Sequence, residues 1–253
     1  MIKIIILGGG NVAHHLARVF KNSTKVSLIQ IFNRSLNSIK DLEKHVEITN
    51  NYRKLKNADI YIISVSDSAI EKVSSKMDIG NALVVHTSGS TSLNILKNHK
   101  RTGVFYPLQT FSKDRNIDFA EIPICIETSN NEDLKLLELV AESISKSIYK
   151  IDSKQRKQLH IAAVFVNNFV NHLYAIGDDI CKERNIQTDI LHPLIKETAK
   201  KIESMNAFNA QTGPAKRGDS SIIKKHISNL NKNQQEIYKL LSNSIVDKYG
   251  NKL

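Results

Sequence analysis

The chain has 253 residues, 41% hydrophobic and 24% charged, with four prolines and two widely separated cysteines, Cys125 and Cys181. That is enough for one large or two modest domains, and no unbroken apolar run approaches the roughly 20 residues that span a bilayer, so no membrane partner is expected. The net charge of +11 comes from scattered lysines, with no basic recognition helix or RNA-binding aromatic motif, so it reads as solvated surface with some pull on anionic ligands rather than as a nucleic-acid interface.

The N-terminal apolar run is short and enters a glycine turn, which is unlike a secretory leader. The cysteines lack metal-ligand spacing, so no metal is expected and a reducing, cytoplasmic setting fits. Strand-like runs follow at Lys3–Leu7, Ser27–Phe32, Ile60–Val65, Ala82–His86, Val104–Tyr106, Pro123–Glu127 and Ser147–Ile151. Between them, helical patterns cover Val12–Lys21, Leu36–Lys44, Ser68–Lys76 and Asn131–Ser145. Near-continuous apolar strands alternating with helices predict an α/β, doubly wound parallel sheet whose ligands bind at the C-terminal strand ends. Past residue 152 the strand signals stop. Helices are expected over Ser153–Arg184, Thr188–Glu203 and Ile222–Tyr249, so residues 1–152 read as a nucleotide-binding domain and 153–253 as a helical one.

Chemistry concentrates at the predicted strand ends. In "GGGNVA" the G-x-G-x-x-A fingerprint is met by Gly8, Gly10 and Ala13, with Asn11 and Val12 between them. Glycine there permits a tight turn and close approach of a pyrophosphate, and the following helix offers free N–H groups and a positive dipole end. The second strand ends in "IFNRS" (Asn33, Arg34, Ser35), where an NAD site would usually carry an acid. A guanidinium there fits a 2′-phosphate, so the cofactor is expected to be NADP(H).

Later strand ends deliver Ser64, Val65, Ser66 and Thr87 toward the cofactor. His86 and Ser88 are candidate catalytic groups, and Tyr106, Gln109 and Thr110 candidate substrate contacts. On the long helix, Phe165, Phe169, Leu173, Ile176 and Ile180 read as a core face. Asn167, Asn171 and Asp178 sit at offsets of 7, 11 and 18 from His160, each within about 20° of it at about 100° per residue. That polar stripe makes His160 and Asn167 catalytic candidates and Asn171 a substrate contact. In "TGPAKRGD", Lys216 or Arg217 is placed to pair with a substrate carboxylate, while Asp219 suits a helix cap.

The fingerprint, "NRS", "VVHTSGS", "FYPLQTFSK", "LHIAAVFVNNFVNHLY" and "AQTGPAKRGD" together resemble a bacterial Rossmann-like family provisionally catalogued as NADP oxidoreductases with an uncharacterised C-terminal helical domain. More remotely the chain is similar to pyrroline-5-carboxylate reductase, ketopantoate reductase and the 6-phosphogluconate dehydrogenase superfamily. The resemblance implies a Rossmann domain followed by an all-helical domain like the C-terminal domain of 6-phosphogluconate dehydrogenase, helping to form the substrate cleft and often dimerising. It implies hydride transfer between NADP(H) and a small anionic carbonyl or imine acid, a ketopantoate-like 2-keto acid being the first expectation, in a homodimer. One departure stands out. Ketopantoate reductases and hydroxyacid dehydrogenases carry a catalytic lysine four residues before an asparagine of the equivalent helix, and here Ala163 and Val164 precede Asn167 and Asn168 by four. An NADP-binding sensor that has lost its proton donor therefore stays open as an alternative.

Overall fold

The computed structural model describes residues 1–250. Eight strands form one sheet: β1 (Ile2–Leu7), β2 (Val26–Phe32), β3 (Glu47–Thr49), β4 (Ile60–Ile63), β5 (Leu83–His86), β6 (Arg101–Pro107), β7 (Ile124–Thr128) and β8 (Ile148–Lys150). Their order is β3-β2-β1-β4-β5-β6-β7-β8. Pairing is parallel from β3 through β6, antiparallel between β6 and β7, and parallel again between β7 and β8. The strand at Glu47–Thr49 escaped the sequence reading because its three residues carry little apolar pattern. The reversal at β7 follows from its connection: residues 108–123 hold only a short 3₁₀ turn, Phe119–Glu121, and no crossover helix of the kind a parallel return uses.

Alternation puts Ile4 and Ile6 into one core layer and Ile5 and Leu7 into the other. The first layer is closed by α1 (Asn11–Lys21) through Leu16 and Phe20, and by α3 (Asn131–Glu142) through Leu137 and Val140. The second closes on Tyr61, Ile70, Met77 and Leu96. Burial of both faces explains why β1, β4 and β5 are almost wholly apolar. Only Ile70–Ser74 of the expected Ser68–Lys76 helix is α-helical (α2), and Leu36–Leu42 is a 3₁₀ helix.

Residues 1–167 and 168–253 separate into two compact units. A helical run of 31 residues, Ser153–Glu183, begins in the first. It comprises α4 (Ser153–Ala163), a π-helical segment Val164–Phe169, and α5 (Val170–Glu183). Its most apolar 18-residue window has a mean hydropathy of 1.2, enough by length and composition to cross a bilayer. Asn167, Asn168, Asn171 and His172 keep it from being an unbroken apolar run without cancelling its mean.

The second unit continues through α6 (His192–Ser204), the short α7 (Ala207–Ala210) and α8 (Pro214–Arg217), α9 (Ser220–Ser228) and α10 (Lys232–Tyr249). The single helix expected over Ile222–Tyr249 is two, because Asn231 caps α10 and forms a reciprocal capping box with Gln234. The proposed core face is also corrected. Phe165 is 62% exposed, Phe169 50% and Leu173 39%, too open for the buried face the spacing predicts.

Candidate functional site

The glycine turn divides its labour differently from the fingerprint's usual reading. Gly8 has φ +143°, and a Cβ there would lie 1.9 Å from the Ser64 carbonyl oxygen. Its role is to let β1 and the end of β4 close together, where Ser64 N–H donates to Leu7. At Gly9 a Cβ would press on the Asn33 side chain and Ile39. Gly10 differs: a Cβ there would meet nothing within 4 Å. Gly10 is also the N-cap of α1, and no side chain caps that helix, which leaves the first-turn amides of Asn11, Val12 and Ala13 without a side-chain acceptor. An anion fits there on both dipole and hydrogen-bond grounds. The residues present therefore suit a dinucleotide pyrophosphate.

Asn11 contributes its backbone, not its side chain, because its amide donates to the Phe111 carbonyl at 2.7 Å. On the same helix His15 Nε2 donates to Ser112 O at 2.9 Å and Arg18 to Lys113 O at 2.7 Å. The 11, 15, 18 spacing aligns three donors along one helix face, and they hold three consecutive carbonyls of the β6–β7 segment. Gln109 and Thr110, expected at the substrate, are thus exposed residues beside the start of α1, where Thr110 N–H donates to Gln109 Oε1.

After β2, the Asn33 amide donates to Ser35 O at 2.9 Å, so it shapes the turn and is not a free ligand. Arg34 and Ser35 are exposed. Val12 and Val65 pack against the two core layers and offer backbone groups only.

The next strand ends form a continuous edge. Leu7, Ile63, His86 and Val104 lie level across β1, β4, β5 and β6. Ser64 is buried and accepts from Thr87 Oγ1 at 3.3 Å, while Ser66 is exposed beside Ser68. His86 is fully buried, which removes it from direct contact with substrate. Its Nδ1 accepts from Ser88 N–H at 3.1 Å, leaving the imidazole proton on Nε2. Ser88 is equally committed: its hydroxyl accepts from the Ser90 and Thr91 amides and donates to Thr91 Oγ1. Both residues shape the loop after β5.

Burial, and then the Arg156 charge, hold the His86 pKa down at about 4. A histidine whose folded pKa is depressed costs stability once the unfolded chain would protonate it. Stability is therefore full above about pH 6.5 and falls as pH drops toward 4, by on the order of 3 kcal/mol. Wild type should lose more melting temperature between pH 7 and pH 4.5 than His86→Asn does; equal losses would remove His86 as the cause.

Two residues past Val104, Tyr106 reaches beyond this edge. Its Oη lies 3.1 Å from His160 Nδ1, and the rings meet edge-on at 6.1 Å. Gly89 presses on the pair so closely that a Cβ would fall 2.7 Å from both His160 Nδ1 and Tyr106 Cζ. Desolvation pushes the Tyr106 phenol up to about 12.

The residues that hold this arrangement escaped the sequence reading. Arg156 is 1% exposed and pairs with Glu127 at the end of β7. It also donates to Thr91 O at 2.6 Å and to Ser153 Oγ at 3.2 Å, and the Ser153 hydroxyl and amide donate to Glu127. The loop after β5, the end of β7 and the start of α4 are thereby fastened together, one helical turn before His160.

The asparagine stripe does not survive as drawn. Asn167 lies in the π segment, where each residue advances by less than the α-helical 100°, so the phase relating His160 to later positions is lost. Asn167 and Asn171 are both exposed. Asn171, Lys216 and Arg217 belong to the second unit. Lys216 donates to Gln211 O at 2.8 Å, Arg217 is exposed, and Asp219 caps α9 through Ile222 N–H. That bond, foremost, lowers the Asp219 pKa. Among the described residues, no cluster of three or more His, Cys, Asp or Glu could hold a metal. An open groove of about 680 Å³ lies at the opposite edge, lined by Ile2 and Arg101 at the starts of β1 and β6 and by Ala82 just before β5, away from these groups.

Residues 3–88 match the family described as "NADP oxidoreductase coenzyme F420-dependent", and 122–245 match "Domain of unknown function (DUF2520)". No curated protein matches the chain at significant similarity. A Bacteroides fragilis protein, provisionally assigned as an NADP oxidoreductase, is 38% identical, with 97% of this chain and 98% of that one covered and a TM-score of 0.90. More distant are a 1-pyrroline-5-carboxylate reductase from Streptococcus pyogenes (13% identity, 98% of both chains, TM-score 0.65) and an imine reductase from Myxococcus stipitatus in complex with NADP+ (14%, 97% and 93%, TM-score 0.63). These two share the fold. At 38% identity over nearly all of both chains, this protein belongs to the NADP-oxidoreductase family of the Bacteroides fragilis protein, a Rossmann-type domain joined to a DUF2520 helical domain.

Proposed function

We propose that the protein transfers a hydride from NADPH to a small carbonyl or imine acid, with a ketopantoate-like 2-keto acid as the first substrate to try. The observation that carries the reading is one strand edge bearing both an open, uncapped helix N-terminus at Gly10 and a hydrogen-bonded Tyr106–His160 pair. NADPH supplies the hydride. The amides of Asn11, Val12 and Ala13 receive the pyrophosphate, and Arg34 with Ser35 receives the 2′-phosphate. Ser64, Ser66 and Thr87 line the path from there toward Tyr106, and His160 is the ionisable group nearest to it. Asn167 keeps a supporting role on the same unit, while Asn171, Lys216 and Arg217 lie outside the reading.

NADPH should bind at least tenfold tighter than NADH, and Arg34→Ala should abolish that preference, because a bidentate guanidinium–phosphate contact is lost. Fluorescence titration with both nucleotides decides it; equal affinities in the wild type would defeat the assignment. A panel of keto acids and imines followed by NADPH absorbance tests the reaction itself. Binding without oxidation across the panel would favour a sensor.

A homodimer is part of the proposal. The second unit fully buries little besides Cys181, Ala215, Gln234 and Ser242, too little for a core of its own. Leu173, Ile176, Ile180, Leu230, Ile237 and Leu241 line an apolar groove of about 460 Å³ on it. A second copy would bring the same apolar set, as an isologous interface requires. Analytical ultracentrifugation should give twice the chain mass, and Leu173→Glu with Leu241→Glu should halve it; a wild-type monomer would sink the idea. Buried, free Cys125 and Cys181 support a reducing, cytoplasmic setting.

A further inference from the structure

We propose that Tyr106 is the proton donor and that the compound reduced is a carbonyl acid rather than an imine, with His160 returning the proton to Tyr106. The inference rests on the oxidoreductase reading above and narrows it.

Three geometric facts support it. Tyr106 stands two residues beyond the level shared by Leu7, Ile63, His86 and Val104, on the edge that carries the nucleotide turn. Its hydroxyl is within hydrogen-bond reach of His160 Nδ1, and both side chains are half-buried, so the pair is held but not sealed. Gly89 leaves no room for a side chain between the loop and the pair. The other candidates at this edge are spent, His86 by complete burial and Ser88 by the loop hydrogen bonds it already makes. No lysine replaces them on the helix, where Ala163 and Val164 stand.

The chemistry then selects the substrate. Burial pushes the phenol up to about 12, so Tyr106 keeps its proton at neutral pH and surrenders it only to a stronger base. An alkoxide is one, since its conjugate acid is roughly as weak as water and far weaker than a phenol. An imine takes its proton before hydride arrives and leaves as a neutral amine, needing no such donor. When hydride adds to the carbonyl carbon, the C=O π pair moves to oxygen. The Tyr106 O–H bond breaks, its proton forms the alcohol O–H, and its electrons remain on the phenolate. His160 Nδ1–H then reprotonates the phenolate while Nε2 takes a proton from solvent.

Oxamate, an irreducible isostere of a 2-keto acid, is the probe, added to full-length protein saturated with NADP+. Calorimetry should show oxamate binding to wild type and at least tenfold weaker binding to Tyr106→Phe, with NADPH affinity unchanged within twofold. In turnover with the best keto acid, Tyr106→Phe should lose at least about 100-fold in kcat. His160→Ala should lose at least tenfold and regain much of it with added imidazole, a rescue that a purely structural role would not show. Should Tyr106→Phe fail to fold, that rescue decides. Unaltered oxamate binding, a kcat within threefold of wild type, no imidazole rescue, or turnover of imines but not keto acids would each overturn the inference. If keto acids are reduced equally by wild type and Tyr106→Phe, the inference alone falls. If wild type oxidises no NADPH and binds no oxamate, the oxidoreductase reading falls with it.

Discussion

Gly8→Ala is expected to unfold the nucleotide-binding domain or to destabilise it by about 3–5 kcal/mol, while Gly10→Ala keeps the melting temperature within a degree or two. The two glycines have a single residue between them and obey opposite constraints. At Gly8 the added methyl meets the rigid Ser64 carbonyl at 1.9 Å on a backbone already at φ +143°, so strain and overlap add. At Gly10 it enters empty space. Cofactor affinity should respond in the reverse order of stability: Gly10→Ala, still folded, should weaken NADPH by at least tenfold because the methyl occupies the approach of the pyrophosphate. Thermal denaturation and nucleotide titration on the two purified variants check both halves. A stable Gly8→Ala would overturn the tight approach of β1 to the end of β4, and a Gly10→Ala with wild-type affinity would show that the turn is not built to receive a phosphate.

Arg156→Met is expected to cost about 3–5 kcal/mol, because it leaves Glu127, mostly buried, without its cation. The double variant Arg156→Met with Glu127→Gln should recover much of that loss, since it removes the stranded charge as well as the bond. Urea denaturation of the two single variants and the double variant closes the cycle. A loss below about 1 kcal/mol for Arg156→Met would class the pair with surface ion pairs. Because Arg156 also holds Thr91 O, its loss should loosen the loop that carries Gly89 and lower the turnover of whatever refolds.

Much of this could be read from residue order, and the parts that could not have identifiable reasons. Apolar runs ending in glycine or hydroxyl residues marked β1, β4 and β5, because strands buried on both faces leave a strong local pattern. The reversal at β7 left none, since strand direction depends on where the chain returns and not on what the strand contains. Arg156 lies in "SKQRKQ", indistinguishable from a solvated helix start until Glu127, 29 residues earlier, folds against it. The roles of Gly9 and Asn33 likewise belong to a contact between two loops. The asparagine stripe failed because a constant 100° step was assumed through Val164–Phe169, where the helix widens.

The grip of α1 on the segment after β6 has a consequence for how this family can vary. Asn11, His15 and Arg18 take hold of main-chain oxygens, not side chains. Composition at positions 112 and 113 is therefore free to drift, whereas a single insertion or deletion there would put every donor opposite the wrong oxygen. Tolerance at this place is a matter of count rather than of kind.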